Sequence, residues 1–174
     1  MSAPNRKRVI AFDVRSRSFG FAVFEGPDEL LDFGVRRFPR GATAVQVSPR
    51  ERLAALFDDF KPAAVVRRNS LPRGSKWNLR IGAALLRESQ ERRIATRYVT
   101  RRAIKRTFLG YNANKHEIAT VLAQRYPALA AKLPPKRKCW QSEDYRMSIF
   151  DAAALGVVAY FKQLPPKDIA KERE

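Results

Sequence analysis

Asp13 and Asp151 are the residues whose type and setting point most directly to chemistry. Asp13 lies near the end of the apolar run RVIAFDV (8–14), and Asp151 interrupts SIFDAAALGVVAYF, which is apolar nearly all round. A carboxylate buried alone in such a wall is costly unless protonated, paired with a cation or bound to a metal. Pairing with arginine is the plain alternative in a chain with 24 of them, and an Asp at a strand end equally serves to start a turn. Asp144 and Ser148 precede Asp151 by seven and three residues, so a helix over 142–161 puts all three roughly on one face. Glu143 then falls about 100° away and reads as a favourable charge at the helix N-terminus. Carboxylates converging from a strand end and a helix form a hard-oxygen site suited to Mg²⁺. In phosphodiester cleavage, paired metals clamp the attacking and leaving oxygens. Asp13 and Asp151 are the candidate carboxylates for such a site, with Asp144 the possible third, and pairing with arginine stays open beside that reading.

The charge balance names the partner class. Lys and Arg number 35 against 17 Asp and Glu, a net charge of +18 over 174 residues. Residues 60–142 hold 20 basic and 3 acidic residues; residues 1–59 hold 10 and 8, and residues 143–174 hold 5 and 6. A segment so uniformly basic repels itself without a polyanion, which makes nucleic acid the first expectation and an anionic membrane the second. The single cysteine, Cys139, excludes a disulfide framework and a multi-cysteine zinc site. No apolar run reaches the roughly 18–20 residues of a membrane span, and Asp13 interrupts the only stretch resembling a signal core. A soluble cytoplasmic protein is expected, with no membrane partner.

The elements that must position these residues can be read in order. RVIAFDV, FGFAVFEG (19–26) and LLDFGVRRF (30–38) are strands with short links, hence an antiparallel meander. Ser48-Pro49 opens a helix as cap and first residue, with Leu53, Leu56, Phe57 and Phe60 on one face. Ala63–Val66 is a fourth strand, too apolar for an edge, and Ser75 caps a helix near 76–91. IATRYVT (94–100) is a fifth strand, followed by helices over 101–109 and 113–125 with Gly110 as a stop. Residues 126–141 form a basic loop in which Trp140 is expected to reach the core, and the last helix covers 142–161. A ribonuclease-H-like α/β domain over 1–162, with five strands, helices on both faces and a charged tail over 163–174, accommodates this order.

Several of these segments resemble RuvC-type Holliday-junction resolvases. AFDVRSRSFGFAVFEG is similar to that family's first hairpin, IKRTFLGYNANKHEI (104–118) to its basic stretch, and FDAAALGVVAYF to its final helix; RIG (80–82) matches a basic–aliphatic–Gly triplet. The likeness spans about residues 8–161. It implies Mg²⁺, Asp13 and Asp151 as ligands, Lys105 and Lys115 as DNA-facing groups, branched DNA as partner and a homodimer. Two departures accompany it. Where the family has a Glu ending strand four, this chain has Arg67-Arg68-Asn69, and where the family has a second acid before the final-helix Asp, it has Ser148. Two Mg²⁺ bring +4 and two Asp return only −2, while an Arg about 4 Å from a metal opposes it by about 4 kcal/mol at an effective dielectric of 20. Either Arg67 therefore points away, or Asp144 or Glu143 supplies a third ligand, or the site is degenerate.

Nucleic acid is expected along residues 67–138, with Arg67, Arg68, Arg73, Lys76, Trp77, Arg101, Arg102, Lys105, Arg106 and Lys115 in contact. Trp77 in SLPRGSKWNLR either wedges at a branch point or packs at a helix start. Two readings follow: a Mg²⁺-dependent endonuclease of branched DNA, or a degenerate relative that binds structured DNA or RNA without cutting.

Overall fold

The computed structural model describes residues 7–40, 48–69, 76–108 and 114–161. Strands β1 (Val9–Val14), β2 (Ser18–Phe24), β3 (Leu30–Arg37), β4 (Ala64–Arg68) and β5 (Ala95–Val99) make one sheet in the order β3-β2-β1-β4-β5. The short links at 15–17 and 25–29 allow only antiparallel neighbours, and β1–β2 and β2–β3 are antiparallel. The pairs β1–β4 and β4–β5 are parallel, each reached through a helical crossover. β1 and β4 are central, which explains the nearly continuous burial of VIAFDV and AVV. The expected five-stranded mixed sheet with helices on both faces is what forms.

Helix α1 (Pro49–Phe60) starts with a capping box: Ser48 Oγ accepts from Glu51 N at 3.2 Å, and Glu51 Oε2 accepts from Ser48 N at 3.1 Å. It packs with α2 (Lys76–Glu91) on one face of the sheet, where Phe12, Phe19, Phe21, Phe57, Ile81 and Leu85 close the core. The opposite face carries α3 (Arg101–Thr107), α4 (Lys115–Arg125) and α5 (Met147–Tyr160). Thr100 and Asn114 cap α3 and α4 by accepting from the main-chain N–H three residues on, at 3.1 and 2.9 Å. A 3₁₀ helix, Pro127–Lys132, follows α4. The expected stop at Gly110, the cap at Ser75 and the tail over 163–174 lie outside the described residues.

Two expectations are corrected. The last helix begins at Met147, so residues 142–146 approach it as extended chain and turn, and the helical-face argument linking Asp144 to Asp151 does not apply. Trp140 is not in the core but 76% exposed, on a turn formed by residues 138–141.

α5 can lie against the sheet because of two glycines. A Cβ on Gly20 would stand 2.2 Å from the Ser148 carbonyl oxygen, and one on Gly156 would stand 2.2 Å from the Phe24 ring. Gly20 pairs with Asp13 in the β1–β2 register. The close approach of α5 to the sheet is therefore located beside the acid.

Candidate functional site

Asp13 stands at the carboxyl end of central β1, pointing to the face covered by α5 and 6% exposed. α5 brings Asp151 to the same place, and Ser148, one turn earlier, donates its hydroxyl to Asp13 Oδ2 at 3.0 Å. The two acids that the sequence singles out thus converge. A guanidinium joins them. Arg15 Nε donates to Asp13 Oδ2 at 2.8 Å, Nη2 to Asp151 Oδ2 at 2.8 Å, and Nη1 to Glu143 Oε2 at 2.7 Å. Lys115, the first residue of α4, adds a second clamp, with Nζ 2.8 Å from Glu143 Oε1 and 3.1 Å from Asp151 Oδ2.

The third carboxylate is therefore Glu143, not Asp144. Both oxygens of Asp144 are held by Arg146, two residues on, at 2.9 and 2.7 Å in a fork. The Arg146 hydrogen bond, against slight burial, holds Asp144 below its usual carboxylate range.

Electrostatics follow from this geometry. Burial opposes the charge on Arg15, but attraction to Asp13, then Asp151 and Glu143, outweighs it and raises its pKa. Lys115 is raised in the same way, burial being overcome by Asp151 and Glu143. Burial works against ionised Glu143 too, yet the Lys115 hydrogen bond and the charges of Arg15 and Lys115 hold it low. Asp151 moves the other way. Its burial and the nearby Asp13 push it up, more than Lys115 and Arg15 pull it down.

The two arginines ending β4 face opposite sides. In the β1–β4 register Arg67 pairs with Phe12, so it points to the α1–α2 face, where Nη1 reaches the Gly82 carbonyl at 3.4 Å. It is 7% exposed and burial lowers its pKa, which removes it from the expected nucleic-acid surface. Arg68 shares the face of Asp13 and approaches Oδ1 at 3.7 Å.

The residues present do not fit Mg²⁺. Asp13, Glu143 and Asp151 supply three negative charges, and Arg15, Lys115 and Arg68 supply three positive ones at 2.7–3.7 Å. Among the described residues no group of three or more His, Cys, Asp or Glu is arranged to hold a metal ion. A hard dication needs a surplus of oxygen charge, and the chain's own cations have consumed it.

Beside the cluster, at the carboxyl ends of β1 and β4, opens a cavity of about 410 Å³ lined by Arg68, Arg101, Lys105, Lys115 and Asp151 among others. Open α/β sheets place ligands at this end. Arg101, Arg102, Lys105 and Arg106 are all exposed on α3, and none makes an ion pair among the described residues. Lys76 is exposed at the start of α2. Trp77 is half-buried, stacked on Phe38 with centroids 5.5 Å apart and flanked by Arg17 at 4.7 Å and Arg80 at 4.8 Å. That is the packing alternative, not a free wedge. Arg73 lies outside the described residues. His116 is half-buried with Nε2 3.2 Å from the Pro134 oxygen.

Sequence reasoning did not find Arg15, and it offered Glu143 only as an alternative to Asp144 for the third ligand. The signal for Arg15 was its position two residues after Asp13, the strand period that puts both on one side. Glu143 carried no such signal, since its role depends on a loop.

The sequence matches no protein-family model and no curated protein. Solved structures do match. RuvC of Thermus thermophilus in complex with a Holliday junction substrate is 17% identical, with a TM-score of 0.56 over 87% of this chain and 91% of that one. The Thermus thermophilus RuvC structure is 16% identical, with a TM-score of 0.58 over 87% and 92%. The yeast mitochondrial Holliday junction resolvase is 12% identical, with a TM-score of 0.53 over 88% and 78%. The resemblance read from the ordered motifs thus holds at the level of architecture: this chain has the ribonuclease-H-like fold of the RuvC-type Holliday junction resolvases.

Proposed function

We propose that this protein binds branched DNA through the basic cleft between β4, α3 and α4, and that its carboxylate cluster is held together by its own cations rather than by Mg²⁺. The observation that carries this reading is the set of cations on α3 that make no ion pair among the described residues, beside a cluster in which Arg15, Lys115 and Arg68 balance Asp13, Glu143 and Asp151. Cations without partners favour a polyanion, whose bound counterions are released on contact. Branched DNA is the substrate class because two of the solved structures with this fold are described as a Holliday junction complex and a Holliday junction resolvase. A junction has two-fold symmetry, so we further propose a homodimer through the outer face of α2, where Leu79 is 65% and Leu86 39% exposed.

The second reading, Mg²⁺-dependent cleavage at Asp13 and Asp151, draws on the convergence of these two acids at the carboxyl end of β1, and needs Arg15 to leave them. One experiment separates the two. Wild type, Asp151→Asn and Arg68→Ala are titrated with a four-way junction, a duplex and an RNA hairpin, in EDTA and in Mg²⁺, with binding and strand scission both recorded. The binding reading expects junction affinity equal in EDTA and Mg²⁺, lost with Arg68→Ala, and no scission. Scission by wild type in Mg²⁺, absent from Asp151→Asn, establishes the nuclease instead. Preference for the RNA hairpin overturns the choice of DNA.

A further inference from the structure

The segment from Leu133 to Arg146 leads from the 3₁₀ helix to α5 around the outside of the cluster. Residues 127–142 contain four lysines and arginines and no acid. Lys136 and Arg137 are exposed and make no ion pair among the described residues. Both line a cavity of about 230 Å³ with Asn114, Lys115, His116 and Glu143. Lys115 also lines the larger cleft, so the two cavities meet at one cation.

At the apex of this segment Lys138–Gln141 forms a turn closed twice. Gln141 N donates to the Lys138 carbonyl at 3.0 Å, and Lys138 N donates to Gln141 Oε1 at 3.0 Å. The second bond is a side chain doing the work of main chain, which fixes the turn before any partner arrives. The turn displays Trp140, 76% exposed and the most exposed large apolar side chain described. Among the described residues its only ring partner is the Lys138 ammonium, 5.3 Å from the centroid. Tyr145, 49% exposed, has Arg37 over its ring at 4.0 Å. An indole held out on a braced turn among exposed cations offers a flat apolar face beside positive charge, which suits a flat partner carried on an anionic backbone.

We propose that Trp140 is a stacking platform for an unpaired nucleobase, with the flanking phosphates on Lys136, Arg137 and Lys138. This rests on the DNA-binding reading and adds to it a preference for strands with unstacked bases. Every base has a π-face, but in a continuous duplex both faces are already taken, so the platform discriminates in favour of open branch points and single strands. The cations contribute to all three alike.

The test uses the two tryptophans. Trp77→Phe keeps the stack on Phe38 and leaves Trp140 as the sole tryptophan, excited selectively over the tyrosines. Titration of this variant with a 12-nucleotide single strand and with a junction holding unpaired bases at its centre should quench the emission, and a blunt duplex should not. In the otherwise native chain, Trp140→Ala should weaken binding of the first two about 10-fold, Trp140→Phe should restore most of it, and duplex affinity should stay constant. Complexes that form with unchanged Trp140 emission, or Trp140→Ala weakening duplex and single strand equally, overturn the platform while leaving the DNA-binding reading standing. No complex with any nucleic acid at low salt overturns both, and an exposed Trp140 then belongs to a protein contact.

Discussion

Asp13 and Arg68 stand side by side on one face of the sheet, 3.7 Å apart at the carboxyl ends of β1 and β4, whereas Arg67 faces away beside Phe12. The position adjoining the first acid of this fold is therefore cationic in this chain. Arg68→Glu should fold normally and bind Mg²⁺ or Ca²⁺ more tightly than wild type, because it turns a charge-neutral cluster into one of net −2. Arg67→Glu should instead destabilise, on the order of 3 kcal/mol, by burying an unpaired charge. Calorimetric metal titration and denaturant unfolding of both variants check this; equal behaviour of the two would refute the face assignment.

Arg15 is the hub of the cluster, and its removal leaves three carboxylates facing one another with only Lys115 and Arg68 to balance them. Arg15→Ala should cost about 3 kcal/mol, the lower end for breaking a buried ion pair. Added Mg²⁺ should recover part of that loss by taking the vacated place. Wild type should gain nothing from the same addition. Thermal melts of both proteins with and without Mg²⁺ decide it.

Glu143 and Asp151 should give opposite pH dependence. Glu143 has a depressed pKa, so its contribution is present above the ordinary value of 4.5 and is lost as pH falls through the lower folded value. Asp151 is raised, so its contribution is present below 3.8 and is lost as pH rises through the higher folded value. Relative to wild type, Glu143→Gln should look worst at neutral pH and converge in acid, while Asp151→Asn should improve as pH rises. Urea unfolding of the three proteins between pH 3 and pH 7 measures both slopes, and slopes of the same sign would contradict the arrangement.

DNA affinity should fall roughly 10³–10⁵ fold between 50 and 200 mM salt if about 6–10 phosphates are neutralised. Charge reversal at Arg101 and Lys105, which line the cleft, should weaken binding more than reversal at Arg8 and Arg50, which are already paired with Glu25 and Glu88. Fluorescence anisotropy across a salt series provides the slope; a flat response would remove the basic cleft as the binding surface.

Gly20→Ala should be among the most damaging single-methyl changes. The new Cβ would stand 2.2 Å from the Ser148 carbonyl, so α5 must shift, at a cost of about 1–3 kcal/mol for overpacking. The same shift should separate Asp151 from Arg15. Melting temperature reports the first effect, and a weaker response to Arg15→Ala in the Gly20→Ala background reports the second.

The strands and the pairing of the first three were legible in the sequence because each signal is local. Apolar runs such as VIAFDV, cap residues such as Ser48, and links too short for a crossover constrain neighbours within a few residues. The same holds for Asp13 and Asp151 as the informative acids, since an acid inside an apolar run is visible without any partner. What tertiary structure decided is everything that depends on pairing across the chain. Which of Arg67 and Arg68 faces Asp13 is a matter of β1–β4 register, and a shift of one residue would exchange them. Glu143 rather than Asp144 joins the cluster because α5 starts at Met147 and leaves residues 142–146 free of helical spacing. The role of Arg15 arises only where β1, the loop before α5, and α5 itself bring three carboxylates within reach of one guanidinium, residues separated by 128 and 136 positions.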